Sequence, residues 1–262
     1  MPKEYVNYLR QKLESGVAVL GTWCVIPSTV VADIAASAGL DFVIIDTEHG
    51  PITFETAQCM AMACESRRVS PVMRVGGVIA ADILRALDIG VHCVQVPNII
   101  CLKELAQAVT HSKYPPIGQR GFSPFTRAGG YSHEQAKELT KRANERTMLC
   151  IHIEGREAVD SLDELLKVHE LDIVFIGMFD LSKSIGIPGQ VDHPDVLRLV
   201  EMLTIKILKA GKYPGTIVTN GVQLQRFINM GMKYITYSVD CEMLYKSYAE
   251  AAASFSRLSL RN

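Results

Sequence analysis

Short runs of apolar, mostly β-branched residues alternate along this chain with longer segments whose apolar positions recur every three or four residues. The runs fall at residues 17–23, 42–48, 71–75, 93–98, 148–154, 173–180, 215–219 and 234–240. Most are apolar nearly throughout their first half, which predicts parallel strands covered on both faces. Helical spacing fills 30–37, 53–65, 80–87, 102–111, 194–210, 222–230 and 241–256. Gly39, Gly90, Gly211 and Gly231 stand just past helical segments, where glycine takes the left-handed cap conformation at little cost. Eight strand runs alternating with helices predict an α/β fold, and eight is the number that closes a (β/α)8 TIM barrel. A doubly wound sheet is the alternative, but the first run is not followed by a GxGxxG turn.

One stretch breaks the alternation. Residues 113–146 open with KYPPIGQRGFSPFTRAGGYS, which holds three prolines and four glycines, and continue into a polar helical pattern. The stretch is too long for an ordinary connection, and long loops on a barrel commonly shape the active site, so it is expected at the catalytic mouth. No repeat or linker divides the 262 residues, which predicts one barrel domain over 1–262.

Composition removes whole classes of function. With 48% hydrophobic and 21% charged residues the chain reads as a globular enzyme rather than a disordered segment. A formal net charge of −1 leaves no basic excess to hold nucleic acid or an anionic membrane. Seven cysteines, an odd number without a CxxC pair, fit a reducing compartment. Residues 1–7 lack the apolar core of a signal peptide and no run is long enough to span a bilayer, so the expectation is a soluble, cytoplasmic protein.

Barrel enzymes place their chemistry where strands end, so ionisable residues there are the candidates. The second run ends in Asp46-Thr47-Glu48-His49, the third carries Arg74, the fifth ends in His152-Ile153-Glu154, and the sixth in Met178-Phe179-Asp180. Glu154 and Asp180 close adjacent strands, and two carboxylates with open positions suit Mg2+, Mn2+ or Co2+. Asp180 could equally cap the helix that begins at Leu181. His49 is a candidate general base, or else a solvated loop histidine. Arg74 lies within an apolar strand, where it either pairs with a structural carboxylate or grips a substrate carboxylate or carbonyl with its planar fork. His152 and Glu154, two apart on a strand, share a face, which puts the imidazole against substrate, on the metal, or in a hydrogen-bonded core. The remaining histidines read as structural. GxxxxGK[ST] and GxSxG motifs are absent.

Taken in order, Gly21-Thr22-Trp23, IIDTEHGP (44–51), PVMRV (71–75), LDIGV (87–91), KYPPIGQRG (113–121), IHIEG (151–155), FIGMFDLSKSIGIPG (175–189) and YSVDCEML (237–244) resemble the HpcH/HpaI aldolases, class II enzymes acting on 4-hydroxy-2-oxo acids and 2-keto-3-deoxy sugar acids. The resemblance implies a divalent metal on Glu154 and Asp180, a base at His49, a stabilising arginine at Arg74, and Asp46 close by. It also implies that Asp88 raises the basicity of the histidine, a role that its place near a helix end does not suggest. The implied reaction is cleavage of a 4-hydroxy-2-oxo acid to an aldehyde and pyruvate through a metal-stabilised enolate. Family members are commonly hexamers that exchange the last helix, here 241–256. The four strand ends carry no lysine, so no Schiff base is called for.

There are three departures from the family pattern. His152 stands where the family usually has a glutamine that touches the 2-oxo acid. Met178-Phe179 replace a proline and a small residue, so Phe179 is expected to narrow the pocket, and Ser238 replaces a common glycine. The altered wall leaves two rivals to the aldolase: a 2-oxo acid decarboxylase or related lyase with the same enolate chemistry, and a non-catalytic 2-oxo acid-binding barrel.

Overall fold

Successive side chains on a strand point to opposite faces, so a closed barrel needs one set of residues to fill its interior and another to seat its helices. The computed structural model describes residues 6–134 and 136–259. Its strands are β1 (Val19–Cys24), β2 (Phe42–Asp46), β3 (Ser70–Arg74), β4 (Cys93–Val96), β5 (Met148–Ile153), β6 (Ile173–Ile176), β7 (Tyr213–Val218) and β8 (Tyr234–Val239). They pair in sequence order, all parallel, and β8 closes on β1. The helices are α1 (Tyr8–Glu14), α2 (Thr29–Ser37), α3 (Phe54–Ser66), α4 (Ala80–Asp88), α5 (Leu102–Ser112), α6 (Ala136–Arg146), α7 (Arg156–Leu165), α8 (Met178–Ser184), α9 (Pro194–Lys209), α10 (Gly221–Met230) and α11 (Asp240–Ser259). The chain is therefore a (β/α)8 barrel. The cap glycines behave as expected, with φ of +93° at Gly39, +88° at Gly90, +72° at Gly211 and +100° at Gly231.

The buried side chains form two separate groups. One, including Val43, Ile45, Met73, Val94, Ile151 and Val174, packs between the strands and the outer helices. The other fills the barrel itself and includes Trp23, Phe42, Ile44, Val72, Phe175 and Tyr234. Near the floor Phe42 and Tyr234 stack with centroids 4.2 Å apart and an interplanar angle of 14°. Leu9 and Leu13, one turn apart on α1, join the inner group and seal the N-terminal end. No helix among the described residues is long and apolar enough to cross a membrane.

The structure departs from the sequence reading at the end of β6 and in the connection over residues 113–146. The run at 173–180 is strand only through Ile176; Met178 opens α8, so Asp180 sits in the first turn of a helix. Residues 113–134 and α6 pack at the N-terminal end of the barrel, away from this chain's own catalytic mouth. Arg120 pairs with Asp88 at 2.7 Å, the Arg127 guanidinium donates to the Ile89 carbonyl at 2.8 Å, and Lys113 donates to the Thr147 carbonyl at 2.7 Å. The reason is topological: a connection from a helix to the next strand must return to that strand's start. Finally, Ser238 takes a φ of +53°, in the left-handed region where glycine is favoured, which explains why glycine suits that position.

Candidate active site at the C-terminal mouth of the barrel

Glu154 follows the last residue of β5, and its carboxylate is held at both oxygens. His152 Nδ1 lies 2.8 Å from Oε1, and the backbone N–H of Asn98 donates to Oε2 at 3.3 Å. Asn98 presents that N–H from a left-handed conformation, φ +54°, which asparagine tolerates better than most residues. Burial acts to raise the Glu154 pKa, but the hydrogen bond from His152, the Asn98 N–H and the charge of Arg74 outweigh it and hold the carboxyl below its ordinary range. Glu154 is thus a carboxylate at neutral pH. Gly177 makes room for it, since a Cβ there would lie 2.7 Å from Glu154 Cγ.

Asp180 reaches the same place from α8. Its side chain is exposed and lies 3.5 Å from Lys183 Nζ, one turn further along the helix. Glu154, Asp180, His152, Asn98 and Lys183 line one cavity of about 340 Å³. Phe179 is half exposed and does not line this cavity, while Met178 is buried.

A second cluster lies on the rim over β2 and β3. Asp46 and Arg74 are neighbours in the strand register. Asp46 Oδ1 accepts from Arg74 Nε at 2.8 Å and Oδ2 from Nη2 at 2.5 Å, a two-pronged buried pair. Arg74 Nη1 lies 2.9 Å from Glu48 Oε2, and the guanidinium sits 4.3 Å from the Trp23 ring. Asp46 Oδ1 also accepts from the backbone N–H of Glu48 at 3.0 Å and of His49 at 3.4 Å, which shapes the turn that carries the exposed His49. One network thus ties Asp46, Arg74, Glu48 and His49 together.

Asp88 is not brought to His49 within the chain. It ends α4 at the N-terminal end of the barrel, where its carboxylate holds Arg120. Residues the sequence reading had not singled out also join the site: Asn98 through its backbone, Lys183 through the cavity, and Gln95 and Tyr234 through contacts that lead inward from His152. Asn98 and Gln95 leave only faint signals, a polar residue just after a buried strand and an amide between two valines.

Among the described residues no group of three or more His, Cys, Asp and Glu side chains could hold a metal. Two carboxylates that line one open cavity, one of them fixed in its ionised form, fit a hard cation that fills its remaining positions with water and substrate oxygens. The residues present therefore fit the group.

A closed parallel barrel with carboxylates, an arginine and a histidine gathered at its C-terminal mouth defines a protein of the (β/α)8-barrel enzyme class. The HpcH/HpaI aldolase/citrate lyase family matches residues 20–247, and the chain belongs to that family. It is 35% identical over 250 residues, 95% of this chain and 98% of the other, to a protein of Rhizobium etli named pyruvate aldolase. It is 31% identical over 250 residues, 95% of each chain, to the 4-hydroxy-2-oxo-heptane-1,7-dioate aldolase of Shigella sonnei. The crystal structure of an HpcH/HpaI aldolase/citrate lyase family protein from Burkholderia cenocepacia superposes with a TM-score of 0.89 at 26% identity, covering 96% of this chain and 100% of that one.

Proposed function

We propose that the chain is a divalent-metal-dependent aldolase that cleaves a 4-hydroxy-2-oxo acid to pyruvate and an aldehyde, and runs the reverse condensation. The observation that carries this reading is the meeting of Glu154, ionised and held at both oxygens, with Asp180 on one cavity at the C-terminal mouth. Relatives named as a pyruvate aldolase and a 4-hydroxy-2-oxo acid aldolase support it.

In this reading Glu154 and Asp180 hold the cation, which supplies Lewis-acid stabilisation of the negative charge that develops as the C3–C4 bond breaks. His49, exposed on its turn, takes the proton from the substrate 4-hydroxyl. A positioned base of this kind contributes about 10²–10⁴ in rate. The bond to the departing aldehyde then breaks, its electron pair becomes the pyruvate enolate, and a proton taken up from solvent at C3 completes pyruvate. Arg74, clamped by Asp46 and seated against Trp23, presents fixed positive charge to the enolate oxygen and needs no reorganisation during the step.

The proposed partners are the 2-oxo acid, the aldehyde and further copies of the same chain. In α11 only Asp240 is buried, and Tyr245, Tyr248, Phe255 and Leu258 are exposed, an apolar load that fits packing against another copy.

The test is to incubate the protein with pyruvate and small aldehydes, with and without Mg2+, Mn2+ or Co2+, and to repeat the assay with His49→Ala. We expect condensation that chelation abolishes and that falls at least about a hundredfold in the variant. Condensation that survives chelation, with borohydride trapping pyruvate on Lys183, would overturn the metal mechanism. No turnover with any 4-hydroxy-2-oxo acid would overturn the aldolase, and oxaloacetate decarboxylation far faster than any cleavage would favour the decarboxylase.

A further inference from the structure

The interior of a (β/α)8 barrel is ordinarily layered with apolar side chains. Here a line of polar groups crosses it. Tyr234, on β8 near the floor, donates its hydroxyl hydrogen to Gln95 Oε1 at 3.3 Å. Gln95, on β4, presents its amide nitrogen to His152 Nε2 on β5 in hydrogen-bond contact, and His152 Nδ1 meets Glu154 Oε1 at 2.8 Å. Gln95 and Tyr234 have no solvent exposure and His152 has 1%. The rings of Trp23 and Phe175 enclose the imidazole, with centroids 6.0 and 4.9 Å away. A buried polar chain destabilises the core unless every member finds its complement, so its wiring is strongly determined.

The direction of each hydrogen bond follows from the chemistry of its atoms. Gln95 Oε1 can only accept, so the Tyr234 hydroxyl, 3.3 Å away, enters the chain as a donor. Donation to Gln95 Oε1 turns the amide so that its NH2 faces the ring. An amide nitrogen cannot accept, so His152 Nε2 must accept, and the ring hydrogen is on Nδ1. Nδ1–H then donates to the acceptor-only carboxylate of Glu154. Each of the three contacts then has one donor and one acceptor. The reversed amide would place its oxygen against Nε2 and demand a second proton on the ring.

We propose that Tyr234, Gln95 and His152 form a proton-ordered relay that fixes the hydrogen of the imidazole on Nδ1 and so positions the Glu154 carboxylate for its cation. The proposal rests on the reading of Glu154 as a cation-binding carboxylate. Gln95 and Tyr234 are positioning residues in it, since they touch neither substrate nor metal and act through His152. Together with the Asn98 N–H on the other oxygen, the relay restrains the rotation of the carboxylate, so cation and substrate meet a site already in register.

The direct test is the solid-state 15N spectrum of the full chain labelled in its histidine rings, with the His152 signals assigned by their loss in His152→Asn. We expect a protonated Nδ1 and an unprotonated Nε2. In Tyr234→Phe and Gln95→Leu that signature should be lost, and Mn2+ affinity, read from free Mn2+ by electron paramagnetic resonance, should weaken about tenfold or more. His152→Leu should weaken it similarly. His152→Asn, whose amide nitrogen can take the place of Nδ1, should keep affinity within about threefold of wild type, well short of an outer-shell loss. An imidazolium or an Nε2–H ring in the wild-type protein overturns the relay and needs no variant to show it. So does a Tyr234→Phe protein with wild-type tautomer and affinity. A wild-type protein that binds no Mn2+ overturns the cation reading and the purpose of the relay together; the ring spectrum, measured separately, distinguishes that failure from a failure of the wiring.

Discussion

Gly177→Ala perturbs the position of Glu154 while leaving its chemistry intact. A Cβ added at Gly177 would stand 2.7 Å from Glu154 Cγ, 3.2 Å from Oε1 and 3.4 Å from Cδ. Ordinary carbon contacts are about 3.5–4.0 Å, so the Glu154 side chain must retreat by roughly 1 Å. Gly177 has a φ of −78°, which alanine adopts without strain, and Glu154 borders an open cavity into which it can move. The fold should therefore survive, with stability changed by less than about 2 kcal/mol, in the lower range for an overpacked site. The same shift pulls Oε1 from the His152 bond. A misplacement of about 1 Å costs on the order of 10²-fold in rate, close to 2.7 kcal/mol of transition-state stabilisation. The assay is exchange of the pyruvate methyl protons with deuterated water, followed by NMR beside thermal unfolding and Mn2+ titration, because exchange reports enolate formation without an acceptor aldehyde. Exchange within about threefold of wild type, at unchanged stability and Mn2+ affinity, would refute the claim that the position of Glu154 limits the chemistry.

Other substitutions test the rim, the barrel floor and the last helix. Asp46→Asn removes one partner of a buried pair, and denaturant unfolding should show a loss of about 3 kcal/mol together with lost turnover; a cost below about 1 kcal/mol would mean that water reaches Arg74. His92, buried near the start of β4, has its pKa pushed below the ordinary 6.5 by burial, against the opposing pull of Glu65. A lowered imidazole means that the unfolded chain takes the proton first, so its contribution is whole above pH 6.5 and fades as pH falls through that value. Glu65 is opposed by burial, yet His92 and Arg127 hold it below its ordinary 4.5, so its contribution is lost only as pH falls under that value. Melting temperature should accordingly decline as pH falls below 6.5 in the wild type and stay flatter in His92→Asn, and parallel curves would exclude His92 as the cause. Tyr248→Glu combined with Phe255→Glu should dissociate the assembly in light scattering, whereas a wild-type chain that is already monomeric would end the proposed role of α11.

The eight strands were legible because buried parallel strands write long apolar runs, and the cap glycines because few other residues tolerate positive φ. Boundaries were less so. Met178 and Phe179 continue the apolar run of β6, which hid the turn at Gly177 and placed Asp180 on a strand instead of a helix. The helix α1 spans Tyr8–Glu14, and Leu9 with Leu13 is too slight a pattern to separate from a loop. Residues 113–146 looked like a catalytic loop by length and composition, yet their location depends on which end of the strand they precede. At the site, carboxylates, arginine and histidine announce themselves because they interrupt apolar runs. Gln95 and Tyr234 do not: one amide between valines and one tyrosine at a strand start are ordinary strand residues until the barrel closes and sets them beside His152.

The closed floor has a consequence for traffic. With Leu9 and Leu13 in the same inner group as the stacked rings of Phe42 and Tyr234, the floor is closed among the described residues, and the C-terminal mouth is the door. In the proposed cleavage both products must leave through it, and pyruvate, drawn toward the strand-end charges, stands behind the aldehyde. Release is then ordered, aldehyde first. Pyruvate should compete with the substrate for the empty enzyme, while the aldehyde should inhibit by returning to the complex that pyruvate still occupies.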